Sequence, residues 1–382
     1  MTEAAAGLQA RTVTGIAAVD PAAWDALAPP GNPFLAHAFL AALEASGSAR
    51  DSTGWQPFHL VVEDGDRLVA AAPLYVKSHS YGEYVFDQGW ADGFRRAGGQ
   101  YYPKLLAAVP FTPVPGPRLL AADEAARDAL IGSLKAVLRQ LRLSSLHVNF
   151  CTGEEAEALG RAGFLLRRGI QCHWRNQGYA DFADWLDRLK SAKRKMVRKE
   201  RDQVRAAGVT VEAAHGESLT EALLDEFFPF YLATVDKRWG NAYLSRDFFR
   251  RLGRDGLRDR VVLVVARHQG RMVGAALNLR GTDTLYGRQW GCLEEFKFLH
   301  FEACYYQAVE FAIRHGLARV EAGAQGIHKL HRGYEPVWTH SAHLIADPGF
   351  ADAVARFLAT ETRGLEAEMR QLADALPYRN ES

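Results

Sequence analysis

The chain has 382 residues, enough for two or three domains, which argues against one small binding module. Apolar residues make up 48%, charged residues 24% and aromatics 11%, an ordinary globular composition that excludes a disordered, collagenous or disulfide-stapled chain. With 46 Lys plus Arg against 45 Asp plus Glu the net charge is +1, so any attraction to nucleic acid or an anionic membrane must come from local clustering.

In chain order, the first 18 residues lack the basic start and apolar core of a signal peptide, and helices are expected over 21–27 and 37–45. A hairpin follows, with strands at 58–62 and 67–76 joined through Asp64-Gly65. The Pro-rich run 109–118 is too rigid and donor-poor for a central strand. A helix over 124–141, a strand over 146–150, a short helix over 154–161 and a closing strand from Gly163-Phe164 through Trp174 complete a first unit. A basic helical stretch over 181–205 leads to a strand at 208–213 and helices over 218–234 and 245–252, with Ser218 and Ser245 as expected N-caps. The hairpin pattern then returns at 261–266 and 271–279 around Gln269-Gly270, followed by a helix over 301–315, a strand over 318–322, a short helix over 328–332 and a closing strand from Gly333-Tyr334 through Leu344. A last helix over 350–375 carries Phe350, Val354, Phe357 and Leu358 as an apolar stripe.

The two halves repeat one order of elements, so the chain is two copies of one mixed α/β unit. The expected division is a first domain at 1–177, a basic connecting helix at 178–206, a second domain at 207–346 and a C-terminal helix and tail at 347–382. Cys151, Cys172, Cys292 and Cys304 show no C-x-x-C spacing, so neither a zinc ribbon nor a redox dithiol is written here. Without an apolar stretch of 18 residues, the expectation is a cytoplasmic protein with no membrane insertion.

Several segments carry a family resemblance: Gly82-Glu-Tyr-Val-Phe-Asp87, Tyr101-Tyr-Pro-Lys104, Gly116-Pro-Arg118, Leu285-Tyr-Gly-Arg288 with Trp290, Leu299-His-Phe-Glu302 with Cys304-Tyr-Tyr-Gln307, and Glu321-Ala-Gly-Ala-Gln-Gly326 with His328-Lys329 and Arg332-Gly-Tyr334. The sequence resembles the FemAB-like, tandem-GNAT N-acyltransferases, in the bacterial branch named for peptidoglycan biosynthesis or recognition. The resemblance implies two tandem GNAT-like mixed-sheet α/β domains with a C-terminal helix, and transfer of an acyl or aminoacyl group to an amine of a small metabolite or cell-wall precursor peptide. Acyl-CoA or aminoacyl-tRNA is the implied donor co-substrate, with no tightly bound cofactor. Two alternatives stand beside this: an aminoacyl-tRNA-dependent ligase of peptidoglycan precursors, and a non-catalytic module that recognises them. The R/Q-x-x-G-x-G/A loop that holds the pyrophosphate of acetyl-CoA is missing; Arg95-Arg-Ala-Gly-Gly-Gln100 is the nearest run.

Amide formation needs a neutral amine, a stabilised oxyanion and a proton for the leaving group. Glu302 and Tyr305, with Tyr306, fall on one helix face at i, i+3 and i+4, and Glu321 precedes small residues that leave backbone open to a ligand. Glu302, Glu321 and Tyr305 are the candidate catalytic residues, and an ordinary ion pair with Arg is the competing reading for Glu302. Arg288, Trp290, Lys329, Arg332 and Tyr334 are candidate substrate-binding residues of the second copy; Tyr102, Lys104 and Arg118 are those of the first. Lys193, Arg194, Lys195 and Arg198 offer phosphate contacts for tRNA, against the alternative of a solvated helix. His328, His331, His340 and His343 are spaced H-x-x-H twice, yet alternation along a strand sends His340 and His343 to opposite faces, so no metal site is expected.

Overall fold

The structure, a computed structural model, describes residues 7–238, 242–254, 256–323 and 327–379. Residues 1–6 of the stretch read for a signal peptide, and Ala324, Gln325 and Gly326 after Glu321, lie outside the described residues. Strand β1 (Leu8–Val13) and helices α1 (Pro21–Leu27) and α2 (His37–Ala45) precede strands β2 (Trp55–Pro57), β3 (His59–Asp64), β4 (Arg67–Ala72) and β5 (Leu74–Lys77). Helix α3 (Gln88–Arg96), strands β6 (Lys104–Ala107) and β7 (Leu120–Ala121), helix α4 (Glu124–Gln140), strand β8 (Ser145–Cys151), helix α5 (Gly153–Arg161) and strand β9 (Leu165–Arg175) follow. Then come α6 (Phe182–Arg188), α7 (Ser191–Ala206), β10 (Val209–His215), α8 (Glu221–Arg238), α9 (Arg246–Leu252), β11 (Val261–His268), β12 (Arg271–Arg280) and β13 (Thr284–Cys292). The helix after β13 has three parts: α10 (Leu299–Phe301), a π-helical turn (Glu302–Tyr306) and α11 (Gln307–Arg314). Strand β14 (Arg319–Glu321), a 3-10 turn (Ile327–Arg332), β15 (Glu335–Ile345) and α12 (Pro348–Asp374) end the chain.

Two compact units result, Met1–Gly169 with Trp338–Ala367 and Ile170–Val337 with Glu368–Ser382. This partition departs from the boundaries expected at 177, 206 and 346 because each sequence copy gives its closing strand to the other unit. His340–Ile345 of β15 pairs antiparallel with β8, whereas His173–Arg175 of β9 pairs antiparallel with β14. The basic helix belongs to the second unit together with the last residues of the chain.

In the first unit β1, β3, β4 and β7 form one antiparallel sheet. Strands β15, β8, β6, β5 and β2 form another, in which β6 and β8 are its parallel pair. The strand expected over 67–76 breaks at Pro73, which has no N–H to give a ladder, so β4 and β5 join different sheets. Helix α4 starts at Asp123, whose carboxylate accepts from Ala126 N at 2.8 Å, and buries Leu130, Ile131, Leu134 and Leu138 against this core. Each such leucine contributes about 2 kcal/mol of burial. On α12, Val354 and Leu358 are buried and Phe350 stacks on Phe94 at 4.4 Å, but Phe357 is 47% exposed, so the expected stripe is narrower by one residue.

In the second unit the order is β10, β11, β12, β13, β14, β9, with β13 and β14 parallel. Where copy one has Pro73, copy two keeps a continuous strand and absorbs the irregularity as a bulge at Leu277/Asn278. The helix expected over 181–205 is broken between α6 and α7: Leu189 is extended, fully buried and bridged to Tyr378, and Lys190 N donates to Pro377 O. Thr220 rather than Ser218 caps α8, accepting from Leu223 N at 3.1 Å, and Ser245 caps α9 as expected.

Candidate active site

Glu321 is the last residue of β14, and its pairing with Tyr286 is the last rung of the parallel ladder. Strand β13 continues to Cys292 along β12, so the ladder stops at Glu321 while its neighbour runs on. The residues here are small: a Cβ added to Gly287 would lie 3.4 Å from Ala322 Cα, and Gly323 adopts φ +76°, which a side chain rarely tolerates. Glu321 is 6% exposed; Oε1 lies 3.7 Å from His173 Nδ1, and Oε2 is buried with no hydrogen-bond partner among the described residues. Burial pushes its pKa up to about 7 against the pull of Arg319 and the weaker one of Arg288. His173 is pushed down to about 3 by its own burial and by Arg319 and Lys329, so it stays neutral and leaves the carboxylate without an ionic partner there. A carboxyl that titrates near neutrality exchanges a proton with a substrate at little free-energy cost.

Lys329 sits on the 3-10 turn, 2% exposed, and donates from Nζ to the Gly323 carbonyl at 2.6 Å. Burial lowers its pKa to about 8, with the Cys172 and Cys304 thiols acting weakly in the other direction. A proton acceptor and an ammonium therefore flank the small residues 322–323. Glu321 is tied to His173 by contact and to Arg288 by its charge, and Lys329 acts on His173 through its charge.

The other candidates of the second unit are placed differently. Glu302 is buried and held by Arg201, with Nη2 at 3.0 Å and Nε at 3.1 Å, and by Gln307 Nε2 at 2.9 Å, while Arg201 also reaches Glu310 at 2.8 Å. That is the ion-pair reading, and it removes Glu302 as a free base. Tyr305 packs in the core against Phe301, His300 and Tyr334 at ring distances of 5.9, 5.4 and 5.5 Å. Arg332, a candidate for substrate binding, forms a buried ion pair with Glu200, at 2.7 and 2.8 Å from Nη2, and Tyr334, another, is fully buried, which sets both apart from Lys329. Trp290 is half-buried on β13, its ring close to Gly274 and 5.6 Å from His300.

The first unit holds a second buried polar cluster, of which the sequence marked Lys104 and Tyr102 as candidate binding residues and Glu83, Asp87 and Tyr101 only as part of the family resemblance. Lys104 Nζ donates to Glu83 Oε2 at 2.8 Å, to Ser80 Oγ at 2.9 Å and to Asp87, and Tyr102 OH shares a hydrogen bond with Ser80. Tyr101 OH donates to Asp87 Oδ2 at 2.7 Å, and His147 joins Ser145 at 2.8 Å and His343 at 2.7 Å. Burial would raise both acids; Lys104, by its charge and its hydrogen bond, nevertheless holds Asp87 well below the usual range, while Glu83 rises to about 7. Glu83, Asp87 and Tyr101 lie in or beside a loop without periodicity, and pattern gives no hint of their burial. Arg118 is a staple of the Pro-rich run: buried, it donates to the carbonyls of Val114, Gly116 and Pro117 at 2.7 to 3.0 Å.

The family model described as peptidoglycan biosynthesis/recognition, FemAB-like, matches residues 15–380. The chain belongs to the FemAB-like family. Its fold is mixed α/β with a C-terminal helix, α12, and is shared with FemX. The solved structure of FemX aligns with TM-score 0.56 at 12% identity, covering 88% of this chain and 98% of that one. L-PGS from Bacillus licheniformis aligns with TM-score 0.51 at 11% identity, over 83% and 95%. A tandem GNAT protein from the clavulanic acid biosynthesis pathway aligns with TM-score 0.46 at 12% identity, over 89% and 99%. No curated protein matches the sequence significantly.

Two further expectations concern surfaces and metal. On α7 of this FemAB-like chain Lys195, Arg198 and Lys199 are exposed and Lys193 is half-buried, while Arg194 is tied to Asp187 at 3.1 Å. Val197, Glu200 and Val204 form its buried face. His328 is exposed, whereas His343 is buried on His147. Among the described residues no group of three or more His, Cys, Asp or Glu is arranged to hold a metal ion, and no helix is long and apolar enough to cross a membrane.

Proposed function

We propose that this FemAB-like protein is an N-acyltransferase that joins an acyl or aminoacyl group to an amine of a cell-wall precursor peptide or small metabolite, with the chemistry in the second unit. The buried Glu321, one oxygen without a partner among the described residues and a pKa near 7, is the observation that carries the reading. The amine nitrogen attacks the donor carbonyl as Glu321 accepts its proton; a C–N bond forms and the carbonyl oxygen becomes an oxyanion. Lys329, charged below about pH 8, donates a hydrogen bond to that oxyanion. Collapse breaks the bond to the leaving oxygen or sulfur, which takes the proton back from Glu321, so the protein ends as it began.

An aminoacyl-tRNA donor is favoured over acyl-CoA by three observations. The residues entering α10 include Glu294 and Glu295, and α4 begins on Asp123 and Glu124, so carboxylates stand where a pyrophosphate would meet a helix start. Arg95 and Arg96 close the C-terminal turn of α3 instead of opening a helix. The first turn of α7 carries cations and no acid, so its side chains and the helix dipole add in attracting phosphate. The test is to offer aminoacyl-tRNA and acyl-CoA separately with muropeptide and small amine acceptors. Amide product that disappears in Glu321→Gln supports the reading; muropeptide binding without turnover of any donor would replace it with a recognition role.

A further inference from the structure

The run of cations in α7 contains one buried carboxylate, Glu200, 5% exposed. Its Oε1 and Oε2 accept from Arg332 Nη2 at 2.7 and 2.8 Å, and Oε2 also accepts from Tyr306 OH and from Arg332 Nε at 3.2 Å. The Arg332 guanidinium lies 3.5 Å from the Phe301 ring centroid, and its remaining nitrogen, Nη1, donates to the His328 carbonyl at 2.9 Å. The next carbonyl, that of Lys329, accepts from Tyr334 N at 3.2 Å. The backbone on both sides of the Lys329 Cα is thus fixed, on one side by a side chain that itself depends on Glu200. A buried ion pair is weak evidence of stability by itself, since desolvation offsets its attraction. Its geometric effect here is specific: it holds the one turn that carries the site ammonium.

We propose that Glu200 is a positioning residue for Lys329, acting through Arg332 on the 3-10 turn, an inference that rests on Lys329 serving the transfer site. With the turn held, Lys329 Nζ stays on the Gly323 carbonyl, away from water and among the Cys172 and Cys304 thiols and the neutral His173. With the turn released, water reaches the ammonium and its titration returns toward that of an ordinary lysine.

The experiment is site-resolved competitive labelling of Lys329 with acetic anhydride across pH 6 to 11, read by peptide mass spectrometry on the full chain. The wild type is expected to titrate near 8, Glu200→Asp to stay there, and Glu200→Gln to rise by a unit or more, a fall of about tenfold in neutral amine at pH 7. The double variant Glu200→Leu with Arg332→Met replaces the buried pair by apolar groups and keeps the core filled, and it is expected to show the same rise while melting cooperatively. An unchanged midpoint in both Glu200→Gln and the double variant overturns the inference. Because labelling needs no turnover, that result is distinct from the failure of the transfer reading, which would appear as full amide synthesis by Lys329→Met.

Discussion

Replacing Glu321 by glutamine separates stability from chemistry. The carboxyl titrates near 7 in the folded protein and near its ordinary 4.5 when unfolded, so folding carries no penalty below about pH 4.5. Between those values the folded state binds more protons than the unfolded state, and stability falls as pH rises. Above about pH 7 the full penalty of a buried carboxylate is present. The gap, at 1.36 kcal/mol per pH unit, amounts to about 3 kcal/mol. Glutamine has nearly the same shape and no charge, so Glu321→Gln is expected to be more stable than wild type by about 2 to 3 kcal/mol at pH 8 and by nearly nothing at pH 4.5. Losing a general base is expected to slow transfer about 10²-fold or more at the same time. Urea melts at both pH values, paired with single-turnover amide formation, measure the two effects. A variant no more stable than wild type at pH 8, or turnover within threefold of wild type, refutes the argument.

Lys329→Met is expected to remove the opposite penalty. A lysine lowered from 10.5 to about 8 destabilises the fold most below pH 8 and is relieved as pH rises to 10.5, so the variant gains about 2 kcal/mol at pH 7 after loss of the Gly323 hydrogen bond, measurable by urea melts, and loses the alkaline fall of the pH–rate profile. Glu302→Gln weakens a buried ion pair in which Arg201 keeps Glu310; about 1 to 2 kcal/mol of stability should go in thermal or urea melts, with turnover per folded molecule unchanged. Charge reversal at Lys193, Lys195 and Arg198 should weaken tRNA binding and flatten its salt dependence by roughly 0.7 to 0.9 per lost phosphate contact in filter-binding assays. Gly291→Ala places a Cβ 1.9 Å from the Phe230 carbonyl oxygen, so a loss of about 3 kcal/mol is expected in the same melts.

Local chemistry made much of the fold legible. Asp20 and Pro21 start α1, and the Pro-rich run stays out of the sheets, because caps and missing N–H groups act within a few residues. What pattern does not contain is the identity of a distant partner. The break at Leu189 needs the chain end beside Tyr378, and the pairing of β15 with β8 satisfies the same apolar alternation that pairing within its own copy would. The site follows that rule. Glu321 stood out because its neighbours are small, but only the structure shows one of its oxygens buried without a partner among the described residues. Glu302 fell the other way once Arg201 was beside it.

The matching strand pairs of the two units also bear on why the proposed transfer is placed in the second. His343 faces His147 in the first unit, and His173 faces Glu321 in the second, so His147 and Glu321 hold corresponding places on the inner strands β8 and β14. Around His147 two acids share one lysine: Lys104 bonds both Glu83 and Asp87, and Tyr101 donates to Asp87 as well. Asp87 is thereby locked in its charged form, and His147, lowered to about 3 by burial and Lys104, is locked neutral. Around Glu321 the facing histidine is equally neutral, but among the described residues no lysine is hydrogen-bonded to the carboxylate, and it titrates near 7. Glu83 and Glu321 both titrate near 7, but Lys104 is hydrogen-bonded to Glu83 at 2.8 Å, whereas among the described residues no cation is hydrogen-bonded to Glu321, and that difference is why the proposed proton transfer is placed at Glu321.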